Sequence, residues 1–349
     1  MPEEISLDHV RDALRRVNYP GYPTDIIRLG IIEEIAPKPD GSGVILTVRQ
    51  AGGGEDVMRR MAGDIHRVLT HELGVAVEFR IHQLEPELGE KTGRARLEGT
   101  RNIIAVASGK GGVGKSTVAA NLAIALSLEG FKVGLLDADI YGPSVPLMFA
   151  TGAERPKSAG GNSFYPIEKY GIRLISVGFF VTDKTPVIWR GPMVMSAVRQ
   201  FLKDTAWGSQ DFLVIDLPPG TGDAQLTLAQ IVPVDGVVIV TTPQDVATLD
   251  AQRAITMFRQ VHCPILGIVE NMNAYVCPDC GEREEIFGVG GGAALAEAEG
   301  VPLIAEIPIY PEVREAGDRG MPVTLANPDH PASLAFIELA RRVVSMMPD

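Results

Sequence analysis

Nine consecutive residues carry the clearest chemical signal in the chain. Residues 109–117 read Gly-Lys-Gly-Gly-Val-Gly-Lys-Ser-Thr and satisfy the pattern G-x-x-x-x-G-K-[ST]. Glycines at this spacing let backbone N–H groups curl around a polyphosphate, and a following helix adds its partial positive charge. Lys115 is predicted to reach the β- and γ-phosphates, and the Ser116 hydroxyl is predicted to reach Mg²⁺. The other predicted contacts to the nucleotide are Gly109, Lys110, Gly111, Gly112, Val113, Gly114 and Thr117.

Two apolar segments that resemble buried strands end in carboxylates suited to the same site. The first ends at Asp137, and Asp139 follows two residues later, so that both side chains would share one face. The second ends at Asp216. We predict that Asp216 and Asp137 contribute to the Mg²⁺ shell and that Asp139 orients the attacking water. The alternative for Asp137 and Asp139 is that they cap the turn that follows them.

The segment after Asp216 has the composition of a switch, and a later segment bears on the choice of base. Gly220 can bring a backbone N–H close to a γ-phosphate, and we predict that residues 217–223, which end at Asp223, form a switch segment. The chain lacks the Asn-Lys-x-Asp pattern of guanine-binding proteins. Asn271 is therefore predicted to contact adenine, because its amide can both donate and accept; a turn-forming role is the alternative.

Cys277 and Cys280 form a Cys-x-x-Cys pair that can bind a metal. One pair supplies only half of a four-cysteine site, and a second copy of the chain would complete it. The completed site suits a bridging [4Fe–4S] cluster or Zn²⁺, and the spacing alone does not distinguish iron from zinc. A dithiol redox pair or an inert pair are the remaining alternatives. Cys263, which precedes an apolar segment, is predicted to be a packed, inert thiol.

Composition excludes several other classes of protein. The 349 residues carry a formal charge of −12 and a sequence pI near 5.1, which disfavours nonspecific binding to nucleic acid or anionic membranes. The first residues lack the pattern of a secretory signal, and no apolar run approaches the length of a membrane span. Three cysteines do not make a disulfide framework. These features predict a cytoplasmic protein.

The elements that must position these residues follow an alternating α/β pattern. We predict a small α/β domain over residues 1–84, a polar linker over 85–100, and a P-loop domain over 101–349, with a mostly parallel sheet covered by helices on both faces. In the small domain the pattern predicts a helix near Val10–Val17, strands at 26–32 and 44–48, a helix at 54–71 and a strand at 75–81. In the large domain it predicts strands at 103–107, 132–137, 173–178, 212–216, 236–241 and 265–269, and a helix at 115–129.

Taken together, the motifs resemble those of the Mrp (ApbC) family of iron–sulfur cluster carrier ATPases, within the MinD/ParA class. The resemblance implies hydrolysis of ATP to ADP and phosphate, a labile cluster held between two copies, and exchange with cluster donors and apoprotein clients. Lys110 resembles the extra lysine of that class, which crosses the homodimer interface to the partner's phosphates; the alternative is a solvated surface lysine. The segments that carry the resemblance are 108–117, 137–144, 189–193, 216–223, 270–272 and 277–280.

Two further questions stay open at the level of sequence. Residues 1–84 are similar to an iron–sulfur-assembly-type domain, for which both a docking role and a purely structural role fit. The alternative to a carrier is a MinD/ParA-type spatial or regulatory ATPase with a structural zinc. Such proteins bind membrane or DNA, yet the amphipathic segment from Leu334 to Met347 has few basic residues and is better suited to core packing. We therefore predict no nucleic-acid partner and no stable membrane association.

Overall fold

The structure is a computed structural model that describes residues 6–18, 25–27, 32–39, 41–49, 54–82, 97, 99–140, 142–161, 163–180, 191–232, 234–277 and 279–347. The chain separates into two compact units, residues 1–87 and 88–349. In the described part of the chain, no helix is both long and apolar enough to cross a membrane.

The smaller unit is a three-stranded sheet packed against helices. Its elements are α1 (Leu7–Leu14), β1 (Ile32–Pro37), β2 (Gly43–Arg49), α2 (Gly54–His66), a π-helical turn (Arg67–Glu72) and β3 (Ala76–His82). Strand β2 is central, antiparallel to β1 and parallel to β3. The strand predicted over 26–32 is wrong at its start, because Ile26 and Ile27 lie in a turn after the bridge between Asn18 and Asp25. Residues 28–31 lie outside the described residues.

The larger unit alternates strands and helices along the chain. Its strands are β4 (Thr100–Ala107), β5 (Val133–Asp137), β6 (Ser158–Gly160), β7 (Ser163–Phe164), β8 (Ile167–Lys169), β9 (Ile172–Ser176), β10 (Gln210–Asp216), β11 (Gly236–Thr241), β12 (Ile265–Val276), β13 (Arg283–Glu284) and β14 (Leu303–Ile309). Its helices are α3 (Lys115–Leu128), α4 (Val145–Met148), α5 (Gly191–Asp204), α6 (Asp223–Ile231), α7 (Asp245–Gln260), α8 (Gly291–Glu299), α9 (Pro311–Asp318), α10 (Val323–Ala326) and α11 (Pro331–Ser345).

Most of these strands form one sheet. Its order is β13-β12-β11-β4-β10-β5-β9-β8, with β14 also beside β12. The neighbours pair in parallel except at β8–β9 and β12–β13, which are antiparallel. Because the central strands are parallel, the ends of β4, β5 and β10 lie together at one edge. This edge is where the phosphate loop and the predicted carboxylates emerge.

Helices cover both faces of the sheet, and successive residues of β4 show why. Ile104 and Val106 pack into a core with α3 and α11, whereas Ile103, Ala105 and Ala107 pack into a second core with α5, α6 and α7. Alternate side chains of a strand point to opposite faces, so a strand buried on both sides is apolar throughout. The predicted α/β class, with a mostly parallel sheet between helical layers, is confirmed.

Helix α11 packs its apolar side onto the helix that carries the phosphate loop. Phe336, Leu339, Ala340 and Val343 are fully buried in the same core as α3. The neighbouring helix α10 also contacts α3, through a polar group: the Asn121 Oδ1 atom in α3 accepts hydrogen bonds from the backbone N–H and the hydroxyl of Thr324 in α10. The amphipathic segment at the end of the chain is thus part of the core.

Strand β12 is longer than predicted. The sequence predicts a strand that ends at residue 269, but β12 continues through Asn271 to Val276 because β14 and β13 pair with its second half. The pairing with β14 shifts register between Asn271 and Tyr275, and Met272 adopts a left-handed conformation with φ of 58°. The strand is therefore continuous but kinked, and it leads directly to Cys277.

Candidate functional site

The phosphate loop joins β4 to α3 and borders a pocket of about 200 Å³. The pocket lies at the edge of the sheet where β5 and β10 also end. Its lining comprises Ser108, Lys110, Gly111, Gly112, Gly114, Lys115, Ser116, Thr117, Asp139 and Pro219. The structure therefore brings the phosphate loop, one predicted carboxylate and the predicted switch segment around a single cavity.

Two glycines of the loop are required by their surroundings. A Cβ atom on Gly109 would lie 2.1 Å from the carbonyl oxygen of Asp250, because the backbone of α7 crosses directly behind the loop. Gly114 has a φ of 83°, and a Cβ there would lie 2.1 Å from the Nδ2 atom of Asn271. The loop is thus held closely against α7 at Gly109 and against β12 at Gly114.

Lys115 lies in a buried cluster of polar groups. Its Nζ atom is 2.5 Å from Asp216 Oδ1, 3.6 Å from Asp139 Oδ2 and 3.2 Å from Ser116 Oγ. Lys115 is only 5% exposed, so its charge is balanced by these carboxylates rather than by water. The cluster forms because α3 starts at Lys115 while β5 and β10 end, in register, at Asp137 and Asp216.

Asp137 and Asp216 are adjacent, fully buried carboxylates with different partners. Burial, followed by the charge of Asp216, raises the pKa of Asp137 to about 7. Burial also raises the pKa of Asp216, against the lowering effect of the Lys115 charge. Asp137 accepts hydrogen bonds from the Ser176 hydroxyl at 2.8 Å and from the backbone N–H groups of Asp139 and Val145. These bonds fix the loop after β5, and the predicted Mg²⁺ role of Asp137 stays a prediction.

The switch segment and Asn271 both contact the phosphate loop in this structure. The Gly220 N–H donates to the Ser108 carbonyl at 3.0 Å, so the segment is closed onto the start of the loop. Asn271 is 7% exposed, and its Nδ2 atom donates to the Val113 carbonyl at 2.8 Å. The amide therefore braces the loop from behind, and its predicted contact with adenine stays a prediction. The side chain of Asp223, together with Tyr141, Trp189 and Arg190, lies outside the described residues.

The cysteine pair lies in a tight turn at the end of β12. The Cys277 N–H donates to the Glu282 carbonyl, and the Gly281 N–H donates to the Cys277 carbonyl at 2.8 Å. Backbone N–H groups of Cys280 and Asp279 point at the Cys277 sulfur and lower its pKa. Cys277 is partly exposed and Cys280 is exposed. Among the described residues of one copy, no group of three or more histidine, cysteine or acidic side chains is arranged to hold a metal.

We expect the lowered pKa of Cys277 to be visible in its reactivity. In metal-free protein, alkylation of Cys277 by iodoacetamide should reach half of its maximal rate at a pH below the ordinary cysteine value of 9.0, because the N–H groups stabilise the thiolate. Peptide mass spectrometry across a pH series measures this rate. The matched control is the same protein in denaturant, where those hydrogen bonds are lost and the midpoint should rise. Identical midpoints in both conditions would contradict the prediction.

Two residues of this region were not found from the sequence. Ser176 ends β9 and donates to Asp137, and Gln225 in α6 donates to the Ser108 and Pro218 carbonyls. Neither residue belongs to a spacing pattern. Their contacts depend on the order of the strands and on the path of the switch segment, which only the folded chain defines.

Comparison with known proteins identifies the family. The model of the NUBPL iron-transfer P-loop NTPases, a ParA family, matches residues 99–344. The chain belongs to this family. An iron–sulfur cluster carrier protein of Deinococcus radiodurans is 43% identical over 343 residues, which cover 97% of this chain and 95% of that protein. An iron–sulfur cluster carrier protein of Pseudomonas fragi is 55% identical over 245 residues, or 70% of this chain and 85% of that one.

A solved structure supports the same assignment. A nucleotide-binding protein from Archaeoglobus fulgidus, in complex with ADP, is 38% identical with a TM-score of 0.61 and covers 73% of this chain and 95% of its own. This NUBPL-family chain is therefore a P-loop NTPase of the α/β type. The family, the fold class and the ATPase class predicted from the sequence are confirmed.

Proposed function

We propose that the protein is an ATP-hydrolysing carrier that holds a labile [4Fe–4S] cluster between the Cys277 and Cys280 thiolates of two copies. It would accept the cluster from a donor and deliver it to apoproteins. The relatives named above as iron–sulfur cluster carriers support this function. A single copy offers two thiolates in one exposed turn, which is half of the ligand set that a [4Fe–4S] cluster requires.

The observation that carries the proposal is the path of strand β12. Asn271 in this strand holds the Val113 carbonyl of the phosphate loop, and Cys277 follows at the strand's end. The two sites are therefore joined by six residues of one kinked strand. A rearrangement of the phosphate loop on ATP binding would move Asn271 and thus the turn that presents Cys277. This connection supports coupling between the nucleotide state and the exposure of the cluster.

The described residues fit a Mg²⁺–nucleotide complex. The Oδ2 atom of Asp216 is buried and has no hydrogen-bond partner among the described residues, so it can accept from a metal-bound water. Ser116, beside it, offers a hydroxyl ligand, and bound Mg²⁺ would neutralise charge on the phosphates. When the nucleotide binds, the ammonium group of Lys115 would leave the Asp216 carboxylate and contact the β- and γ-phosphates. Asp139 would orient the attacking water, and the Gly220 N–H would turn to the γ-phosphate.

A second copy of the chain would complete both sites. Lys110 borders the phosphate pocket but, unlike Lys115, does not belong to the buried cluster at its base. We propose that it reaches the phosphates of the partner subunit, where a cation can stabilise charge in the transition state. The same dimer would bring the two cysteine pairs together. Nucleotide-driven closure of the dimer would then assemble or open the cluster site.

Two further proposals concern the domain organisation of the chain and the cellular compartment of the protein. We propose that residues 1–84 form an accessory domain for docking partners, joined through residues 85–100 to the ATPase domain over 101–349. The match to the Deinococcus radiodurans carrier over 97% of the chain supports the view that this arrangement belongs to carriers. Cys277 and Cys280 are free thiols, which suits the reducing cytoplasm.

Anaerobic reconstitution with iron and sulfide tests the proposal. The wild-type protein should become brown and retain about four iron atoms per dimer. The double variant Cys277→Ala/Cys280→Ala should stay colourless, whereas the matched control Cys263→Ala, which alters a buried cysteine elsewhere in the fold, should retain the iron. Iron transfer to an apo [4Fe–4S] acceptor should then depend on ATP.

One result would contradict the carrier function, and another would contradict its coupling to the nucleotide. Colourless protein that binds one zinc per dimer would support the regulatory ATPase with a structural metal. Cluster transfer that is equally fast without nucleotide, with ATP and in the Lys115→Met variant would contradict the proposed coupling.

A further inference from the structure

Gln225 is a buried amide directly after the switch segment. It lies in the first turn of α6 and is 1% exposed, so water does not reach its polar atoms, and its Oε1 atom has no hydrogen-bond partner among the described residues. Its Nε2 atom donates to the Pro218 carbonyl at 2.8 Å and to the Ser108 carbonyl at 3.3 Å. Because both neighbours are carbonyl oxygens, only the nitrogen of the amide can face them. The side chain therefore joins the switch segment to the residue that precedes the phosphate loop.

The Ser108 carbonyl has two donors from the switch region. Gln225 is one of them, and the Gly220 N–H, at 3.0 Å, is the other. A carbonyl oxygen has two lone pairs, so both donors can bind at once. Ser108 is 0% exposed with both donors in place, so water does not reach its carbonyl in this arrangement. Loss of both donors would leave a buried acceptor without a partner, which is unfavourable.

We propose that Gln225 is a positioning residue that keeps the Ser108 carbonyl satisfied when the Gly220 N–H turns from it to the γ-phosphate. This inference rests on the proposed function only where it uses that movement of Gly220. With ADP, the carbonyl keeps both donors. With ATP, it keeps the donor of Gln225 alone. The Gln225 amide thus lowers the free energy of the ATP-bound arrangement and leaves that of the ADP-bound arrangement nearly unchanged.

Variants at Gln225 test this difference between nucleotides. Gln225→Met preserves much of the side-chain volume but cannot donate, and Gln225→Glu preserves the shape but places a carboxylate against two carbonyls. Titration calorimetry on the full chain with Mg²⁺ present gives the Kd for ADP and for a non-hydrolysable ATP analogue. In Gln225→Met, the affinity for the analogue should fall about tenfold, and the affinity for ADP should fall less than about threefold. Gln225→Glu should show a larger loss for the analogue and a reduced kcat.

The matched control is Gln252→Met. Gln252 is an exposed amide on α7 that donates to Glu299, away from the switch segment, and its replacement should leave both affinities at wild-type values. Binding of ADP also reports whether each variant is folded. If Gln225→Glu does not fold, the ratio of affinities in Gln225→Met still decides the question.

Two outcomes would overturn the inference. An equal loss for ADP and the analogue would show that Gln225 only maintains the fold, and unchanged affinities would show that the carbonyl does not need it. Neither outcome bears on cluster binding. Conversely, wild-type protein that binds no cluster in reconstitution would refute the carrier function. The ratio of the affinities of Gln225→Met for ADP and for the ATP analogue would remain an independent result.

Discussion

Replacement of Lys115 by methionine is expected to reduce ATP hydrolysis at least a hundredfold, because the variant loses the ammonium group that we propose binds the β- and γ-phosphates. The same change should make the stability of the protein depend more steeply on pH. Lys115 lowers the pKa of both Asp137 and Asp216, and burial raises both. Without the lysine, both values rise further above the ordinary carboxyl value of 3.8.

The sign of the pH effect follows from proton uptake. Between about pH 4 and the raised folded pKa values, the folded chain binds more protons than the unfolded chain, so stability falls as pH rises. In Lys115→Met this window extends to higher pH. We therefore expect the free energy of unfolding to be about 3 kcal/mol lower than that of the wild type at pH 8, and this difference should shrink towards pH 5. Thermal unfolding of nucleotide-free protein at several pH values measures it. Lys132→Met, which removes an exposed lysine, is the matched control. A deficit that is constant across pH would contradict the explanation.

Replacement of Lys110 by alanine is expected to reduce kcat by about a thousandfold while ADP binding persists, because a cation supplied across an interface acts mainly on the transition state. The sharper experiment mixes two inactive variants. Lys110→Ala lacks the lysine that we propose reaches the partner's phosphates, and Asp139→Ala lacks the residue that we propose orients water in its own site. In a mixed dimer, one of the two sites then has both an intact Asp139 and an intact Lys110.

Mixing should therefore restore activity. With random exchange of subunits, half of the dimers are mixed and half of their sites are complete, so we expect about a quarter of wild-type activity. Steady-state phosphate release from equimolar mixtures measures it, and each variant alone serves as the control. If Lys110 acted on its own nucleotide, every site in the mixture would lack one residue and no activity would return.

The chemistry of the nucleotide site was largely predictable from local sequence. The phosphate loop, the two strands that end at Asp137 and Asp216, and the parallel sheet depend on apolar periodicity and on glycine spacing, which act over short stretches of chain. Those segments fold nearly as predicted. The contacts of Lys115 with Asp216 and Asp139 were not predicted, because they depend on which strands become neighbours at the edge of the sheet.

The second half of β12 and the strand beside it were not predictable in the same way. Residues 270–276 contain polar side chains, and β14 includes Pro308, which is unfavourable in a strand interior. Their strand conformation is set by pairing with each other after the intervening helix α8. The direct connection from the phosphate loop to the cysteine turn is thus a tertiary feature, and so is the environment of Gln225.

The packing of α11 on α3 has a consequence for synthesis of the chain on the ribosome. Helix α3 is buried on nearly all sides, and α11 supplies one of the surfaces that cover it. Translation must continue for roughly 10 to 40 s after the phosphate loop is made before that cover emerges. Until then, the apolar side chains of α3 that α11 covers are exposed to water beside the ribosome. Nascent chains in this interval are natural clients for chaperones, and competence to bind nucleotide arises late in synthesis.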